Sequence, residues 1–165
     1  MSILLDAFAE ALPALALRDA AGLGPDRQAA LDAALAAGVP GARSEAWKYT
    51  PLRALERRTF APAAASPGPG SDAMAARLSE IPAPRLVFVD GHFDARHSDI
   101  SALPDGVEAR PLSQLLQAGD ARPVNFLQRR YNGADAVFAL LNAALAADGA
   151  VVHVADGTDG GTLHL

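Results

Sequence analysis

The hydrophobic period of this chain changes partway along, and that change limits the folds open to it. Between Ile3 and Leu35 the large apolar residues Leu4, Phe8, Leu12 and Leu15, then Leu31 and Leu35, recur three and four apart, which makes one side of a helix apolar. From Arg85 to Asp90 the run Arg-Leu-Val-Phe-Val-Asp is rich in β-branched and aromatic residues and predicts a strand. Between them, residues 61–71 read Ala-Pro-Ala-Ala-Ala-Ser-Pro-Gly-Pro-Gly-Ser. That stretch has too few large apolar side chains to offset the entropy of ordering it, so it predicts a flexible linker. The expected class is α+β, with a helical head first and strands after it.

Local signals refine the boundaries. Pro13 cannot donate its backbone N–H and predicts a kink or restart, and Gly22-Leu23-Gly24 predicts a break. Pro25 suits a first helical residue with Asp26 in the first turn, and Gly38 and Pro40 suit the end of that helix, giving a helical hairpin. Thr50 is positioned to cap a short helix with Pro51 at its first position and Leu52 and Leu55 facing inward. Asp90-Gly91 is a turn dipeptide joining the first strand to a second at His92-Phe93. Residues 134–146 carry the strongest helical pattern, with Val137, Leu140, Leu141, Ala144 and Leu145 on one side, Phe138 beside them, and Asp148-Gly149 closing the helix. Residues 150–154 predict a buried strand, Gly157-Thr158-Asp159-Gly160-Gly161 a turn, and 162–165 a further strand. The predicted domains are a helical domain over 1–60, a linker over 61–71, a small α/β connecting region over 72–133, and a helix with strands over 134–165. Ending on an open apolar strand leaves an unpaired edge, so the chain is expected to be truncated.

Composition removes several functions. A formal charge of −5 and a length of 165 residues, half of them apolar, give one modest core and no overall cationic field for nucleic acid or anionic lipid. The first apolar stretch is interrupted by Asp6, Glu10 and Pro13 and lacks a basic leader, so neither a membrane span nor a signal peptide is expected, and the location is expected to be cytoplasmic. The chain has no cysteine, which excludes disulfides, thiolate metal ligation and a persulfide relay made from these residues alone. No Gly-x-Ser-x-Gly elbow is present either, and no enzymatic activity is expected.

Three blocks occur in order: Arg43-Ser44-Glu45-Ala46-Trp47-Lys48-Tyr49-Thr50-Pro51-Leu52, Leu86-Val87-Phe88-Val89-Asp90-Gly91-His92-Phe93, and Phe138-Ala139-Leu140-Leu141-Asn142-Ala143-Ala144-Leu145 followed by Asp148-Gly149. Together they resemble the SufB/SufD family of iron–sulfur cluster assembly scaffolds, on the SufD side, in its N-terminal part. The resemblance implies that the head and strand region lead into the first strands of a right-handed parallel β-helix. It implies a non-catalytic scaffold whose partners, through the full-length protein, are a SufB-like subunit and a SufC-like ATPase. It implies no cofactor in these residues, with an iron–sulfur cluster and flavin only at the level of the full complex. The residues it marks as partner-binding or structural are Glu45, Trp47, Lys48, Tyr49, Thr50, Pro51, Asn142, Asp148 and Gly149.

Each marked feature has an ordinary reading beside the functional one. Trp47 and Tyr49 can dock another subunit, or both can pack the head onto the next segment while Glu45 and Lys48 form a helical ion pair. Asp90, His92, Asp94, His97 and Asp99 hold the ligand types of a two-His, one-carboxylate metal site, so a small metal-dependent hydrolase or metal-binding enzyme is the alternative function. The same residues suit turns and caps. Arg129-Arg130-Tyr131 reads as a solvated corner, and an adaptor built from the head alone is a third possibility.

Overall fold

The computed structural model describes residues 2–41, 44–61, 63, 76–78, 80–131 and 136–165. Nearly all of the predicted linker lies outside them. The residues separate into two compact units, Met1–Pro62 with Leu116–Ala146, and Ala63–Leu115 with Ala147–Leu165.

The first unit is helical. Helix α1 (Ile3–Ala14) buries Leu4, Leu5 and Leu12. Pro13 lies in its last turn, and the chain leaves the helix at Leu15, whose N–H bonds to the Leu12 carbonyl. The predicted kink is thus a stop, because one missing donor at the C-terminal turn leaves little helix to bend. A short 3₁₀ turn at Ala20–Gly22 leads to α2 (Gly24–Ala37), which carries Pro25 in its first turn and is capped by Gly38 with φ 69. That left-handed conformation is one glycine adopts without steric cost. Helix α3 is a single turn, Arg53–Glu56, whose preceding residue is Leu52. Thr50 and Pro51 therefore do not open it. The Thr50 N–H instead bonds to the Trp47 carbonyl, continuing a turn begun at Glu45–Trp47.

The core of this unit joins Leu5 and Leu12 of α1, Leu31 and Ala34 of α2, and Val137, Leu140, Leu141 and Ala144 of a later helix, Val137–Leu145. Ala34 and Ala144 are both fully buried, and small residues let the two backbones approach closely. Each buried leucine or valine contributes about 1.5–3 kcal/mol of transfer free energy, so the five leucines and one valine of this cluster supply most of its hydrophobic stabilisation. A 3₁₀ segment, Arg122–Gln128, adds buried Val124 and Leu127.

The second unit is built on two small antiparallel pairs. Strands β1 (Phe88–Val89) and β2 (His92–Phe93) pair Phe88 with Phe93 and Val89 with His92. Asp90 and Gly91 between them have φ 50 and 81, the two positive values a two-residue type I′ hairpin turn requires. Strand β3 (Val107–Pro111) alternates inward Val107, Ala109 and Pro111 with outward Glu108 and Arg110, and pairs with β4 (Ala150–Val154) from Val107↔Val154 to Pro111↔Ala150. Helix α4 (Leu112–Ala118) follows β3 directly, and Val137–Leu145 is helix α5.

The α+β class holds, and the parallel coil does not form among the described residues. β4 runs antiparallel to β3, and a parallel rung needs a neighbouring coil to stack on. β4 is also not the buried strand its composition suggests: Val152, His153 and Val154 are all exposed. The stretch 162–165 supplies one bridge, His164 to Arg85, and no extended strand.

Candidate functional site

The Trp-Lys-Tyr segment divides its two aromatic side chains between different tasks. Trp47 is half-buried, its ring 5.0 Å from that of Phe138 on α5 and tilted by 50°. Such tilted pairs contribute about 0.5–1.5 kcal/mol beyond area burial, so Trp47 fastens the segment to the helical core. Tyr49, two residues on, is 88% exposed. The Lys48 Nζ stands 5.6 Å from the centroid of the Tyr49 ring, a cation–π distance, and among the described residues Glu45 and Lys48 form no ion pair. Glu45, Thr50 and Pro51 are exposed beside it. One ring packs; the other is presented.

Asp148 and Gly149 are joints. The Asp148 Oδ2 accepts the Phe93 N–H at 2.8 Å, and Oδ1 accepts the N–H groups of Ser113 at 3.1 Å and Gly149 at 2.9 Å. One carboxylate therefore ties β2, the first turn of α4 and the start of β4, and it satisfies a helix N–H that has no partner inside its helix. The Gly149 carbonyl accepts the Leu112 N–H, and its φ of 150 lies where only glycine is comfortable. Asn142 is exposed on α5, its carbonyl accepting the Ala146 N–H.

The Asp/His cluster does not assemble a metal site. Among the described residues no three His, Cys, Asp or Glu groups come together. His92 Nε2 lies 3.1 Å from the Ala63 carbonyl, whereas His97 Nδ1 lies 2.8 Å from Asp94 Oδ2. The Asp94 Oδ1 accepts the Arg96 N–H, and the Asp94 carbonyl accepts the Ser98 hydroxyl, which in turn accepts the Val87 N–H. Asp99 accepts both the N–H and the hydroxyl of Ser101. Asp94 and Asp99 are thus each spent on their own turns. Burial opposes ionisation of Asp94, but the hydrogen bond and charge of His97, with the Arg96 N–H, outweigh it and hold the carboxyl below its usual range.

A cleft of about 180 Å³ in the helical unit is lined by Ala29, Ala33, Leu127, Arg130, Tyr131 and Leu140. It falls short of the roughly 300–1,000 Å³ typical of small-molecule sites. What the geometry offers is a set of structural joints and one presented aromatic–cationic segment.

The family profile described as "SufBD protein N-terminal region" matches residues 2–160. The chain belongs to the SufB/SufD family. It is 32% identical over 109 residues to the iron-sulfur cluster assembly protein SufD of Escherichia coli, covering 57% of this chain and 25% of that protein. Over 133 residues it is 29% identical to an iron-sulfur cluster assembly SufBD family protein of Synechocystis sp., covering 81% of this chain and 29% of that protein. The chain thus spans between a quarter and a third of the length of these SufB/SufD relatives. Among its described residues no helix is long and apolar enough to cross a membrane.

In this SufB/SufD chain one residue of consequence escapes sequence reasoning. Arg27 is 1% exposed, and its two terminal nitrogens donate to the carbonyls of Ala144 and Ala146, each at 2.9 Å. These carbonyls belong to the end of α5, where the backbone has no helical partners and the macrodipole is negative. Burial lowers the Arg27 pKa, and among the described residues its Nε finds no acceptor. The available signal is spacing: Arg27, Leu31 and Ala34 fall at i, i+4 and i+7, on the buried face of α2.

Proposed function

We propose that this chain is the N-terminal part of a SufD-like scaffold subunit that takes part in iron–sulfur cluster assembly without itself making or breaking bonds. The observation that carries the reading is the family match from residue 2 to residue 160. The likeness to SufD from Escherichia coli supports the SufD side, and the absence of cysteine supports a role in which cluster-binding thiolates come from other chains or other residues. Clusters are the cargo of such a complex, and a flavin, where one takes part, belongs to the complex as a whole.

In this reading the helical unit and the β-rich unit support a parallel β-helix core, and β4 with exposed Val152 and Val154 is where the first coil stacks. The partners are a SufB-like scaffold subunit and a SufC-like ATPase, met in the cytoplasm. Trp47, Asp148 and Gly149 act structurally, holding the segments that Lys48, Tyr49, Thr50 and Pro51 present to a partner, with Glu45 and Asn142 exposed nearby. The test is co-purification of the full-length protein with SufB-type and SufC-type subunits of the same organism. A complex that survives size-exclusion chromatography is expected. A full-length protein that stays apart from both subunits contradicts the proposal.

A further inference from the structure

We infer that the exposed segment from Lys48 to Arg58 docks an acidic segment of a partner protein subunit, with Tyr49 as its apolar contact and Arg53, Arg57 and Arg58 as its carboxylate-binding groups. This rests on the scaffold reading and adds the chemistry of the partner.

Charge is unevenly distributed along the chain. Residues 43–58 carry five basic and two acidic side chains, whereas the remainder carries nine basic against seventeen acidic. Arg53, Arg57 and Arg58 are exposed, and among the described residues none of them has a carboxylate partner. Arg53 and Arg57 stand at i and i+4 across the single turn of α3, a spacing that brings like charges to within roughly 5–6 Å at Cβ and is mildly unfavourable by itself. An approaching carboxylate relieves that repulsion and can be held by two parallel N–H···O bonds from a guanidinium.

The apolar part of the surface points the same way. Tyr49 is the most exposed large apolar side chain among the described residues, at 88%, although its neighbour Trp47 is packed. Tyrosine and arginine together are the residue types most enriched where protein interfaces bind tightly, because each buries large area and keeps a polar group to pair. A nucleic acid suits the site less well. The surplus of acidic residues elsewhere repels a long polyanion, while a short acidic protein segment meets only the basic stretch.

The test uses the full-length protein with SufB-type and SufC-type subunits, measuring affinity at about 0.05 M and 0.5 M salt, where screening lengths differ severalfold. The variants are the triple reversal Arg53→Glu, Arg57→Glu, Arg58→Glu, the triple Arg→Lys control, and Tyr49→Ala, each checked for unchanged circular dichroism and unfolding midpoint. The reversal is expected to weaken binding at least about tenfold at low salt, with the gap closing at high salt, and the lysine control, which keeps the charge but loses the paired guanidinium donors, to weaken it by less than the reversal. Tyr49→Ala is expected to weaken binding by about tenfold at both salt concentrations. If the reversal fails to fold, Tyr49→Ala and single Arg58→Glu carry the test. Folded variants that bind as tightly as the unmodified protein overturn the inference and leave the scaffold reading standing. An unmodified protein that binds neither subunit defeats the scaffold reading, and the inference with it. Tight binding of duplex DNA that the reversal abolishes, with subunit binding unchanged, also overturns it.

Discussion

Arg27 shows how much one side chain can decide. A buried guanidinium with no acidic partner among the described residues is costly to desolvate, and two carbonyls at the end of α5 supply what a carboxylate otherwise would. Arg27→Ala removes both donors and leaves a cavity beside unsatisfied carbonyls, so it is expected to cost about 3–5 kcal/mol in urea unfolding, with Arg27→Lys losing less. Asp94 makes a prediction in pH. Its folded pKa is depressed, so its contribution is fully present above the unfolded value near 4 and is lost as pH falls through the lower folded value. The unfolding midpoint of Asp94→Asn should therefore lie below that of the unmodified protein at pH 6, and the gap should shrink as the solution is taken below about pH 4. A gap that is the same at pH 6 and pH 2 contradicts the assignment. At this scale the sequence was partly legible. Asp90-Gly91 is legible as a turn, and the structure gives it two positive φ values; Asp148-Gly149 reads only as a helix end, and its hydrogen bonds to β2 and α4 do not show in the sequence. The ligand-type residues from Asp90 to Asp99 mislead, because Asp and His serve local turns as readily as metals, and only geometry separates the two uses. Arg27 is hidden for the opposite reason: a charge on an apolar stripe looks like an interruption until its acceptors, more than a hundred residues away, are seen.

Among the elements, the pairing of α2 with α5 is the main feature of the helical unit, and small residues make it possible. Ala34 and Ala144 have no exposed surface, and Leu31 and Val137 pack in the same cluster. Leu31→Ala is expected to cost about 2–4 kcal/mol in a denaturant titration, as large-to-small changes in cores do. Trp47→Ala, which loses a half-buried ring and its contact with Phe138, is expected to cost about 1–3 kcal/mol. A Trp47→Ala protein as stable as the original would mean that the ring serves only a partner. Periodicity reveals these helices because their apolar stripes are long enough to repeat: α1, α2 and α5 all lie where the spacing of leucines places them. It fails on α3, a single turn with room for no repeat, so that Thr50 and Pro51 resemble a helix start that occurs two residues later, at Leu52 and Arg53. Partner choice in the sheets is likewise invisible locally. The residues of β4 read as a buried strand from composition, but pairing with β3, forty residues earlier in sequence, leaves Val152 and Val154 exposed.

The molecule as a whole combines a helical unit whose core is complete in itself with a β-rich unit that has few buried large side chains and two short sheets. Family membership rests on the profile match over residues 2–160, and the scaffold function is the proposal built on it. The side chains on which that proposal draws are a carboxylate binding three backbone N–H groups, a tryptophan packed on α5, and a tyrosine and three arginines exposed to solvent. The most direct test of the account is native mass spectrometry of the full-length protein mixed with purified SufB-type and SufC-type subunits, with single-subunit mixtures as controls. The account predicts a discrete complex containing all three chains and no turnover by the full-length protein alone. A spectrum showing only separate chains at micromolar concentration contradicts it.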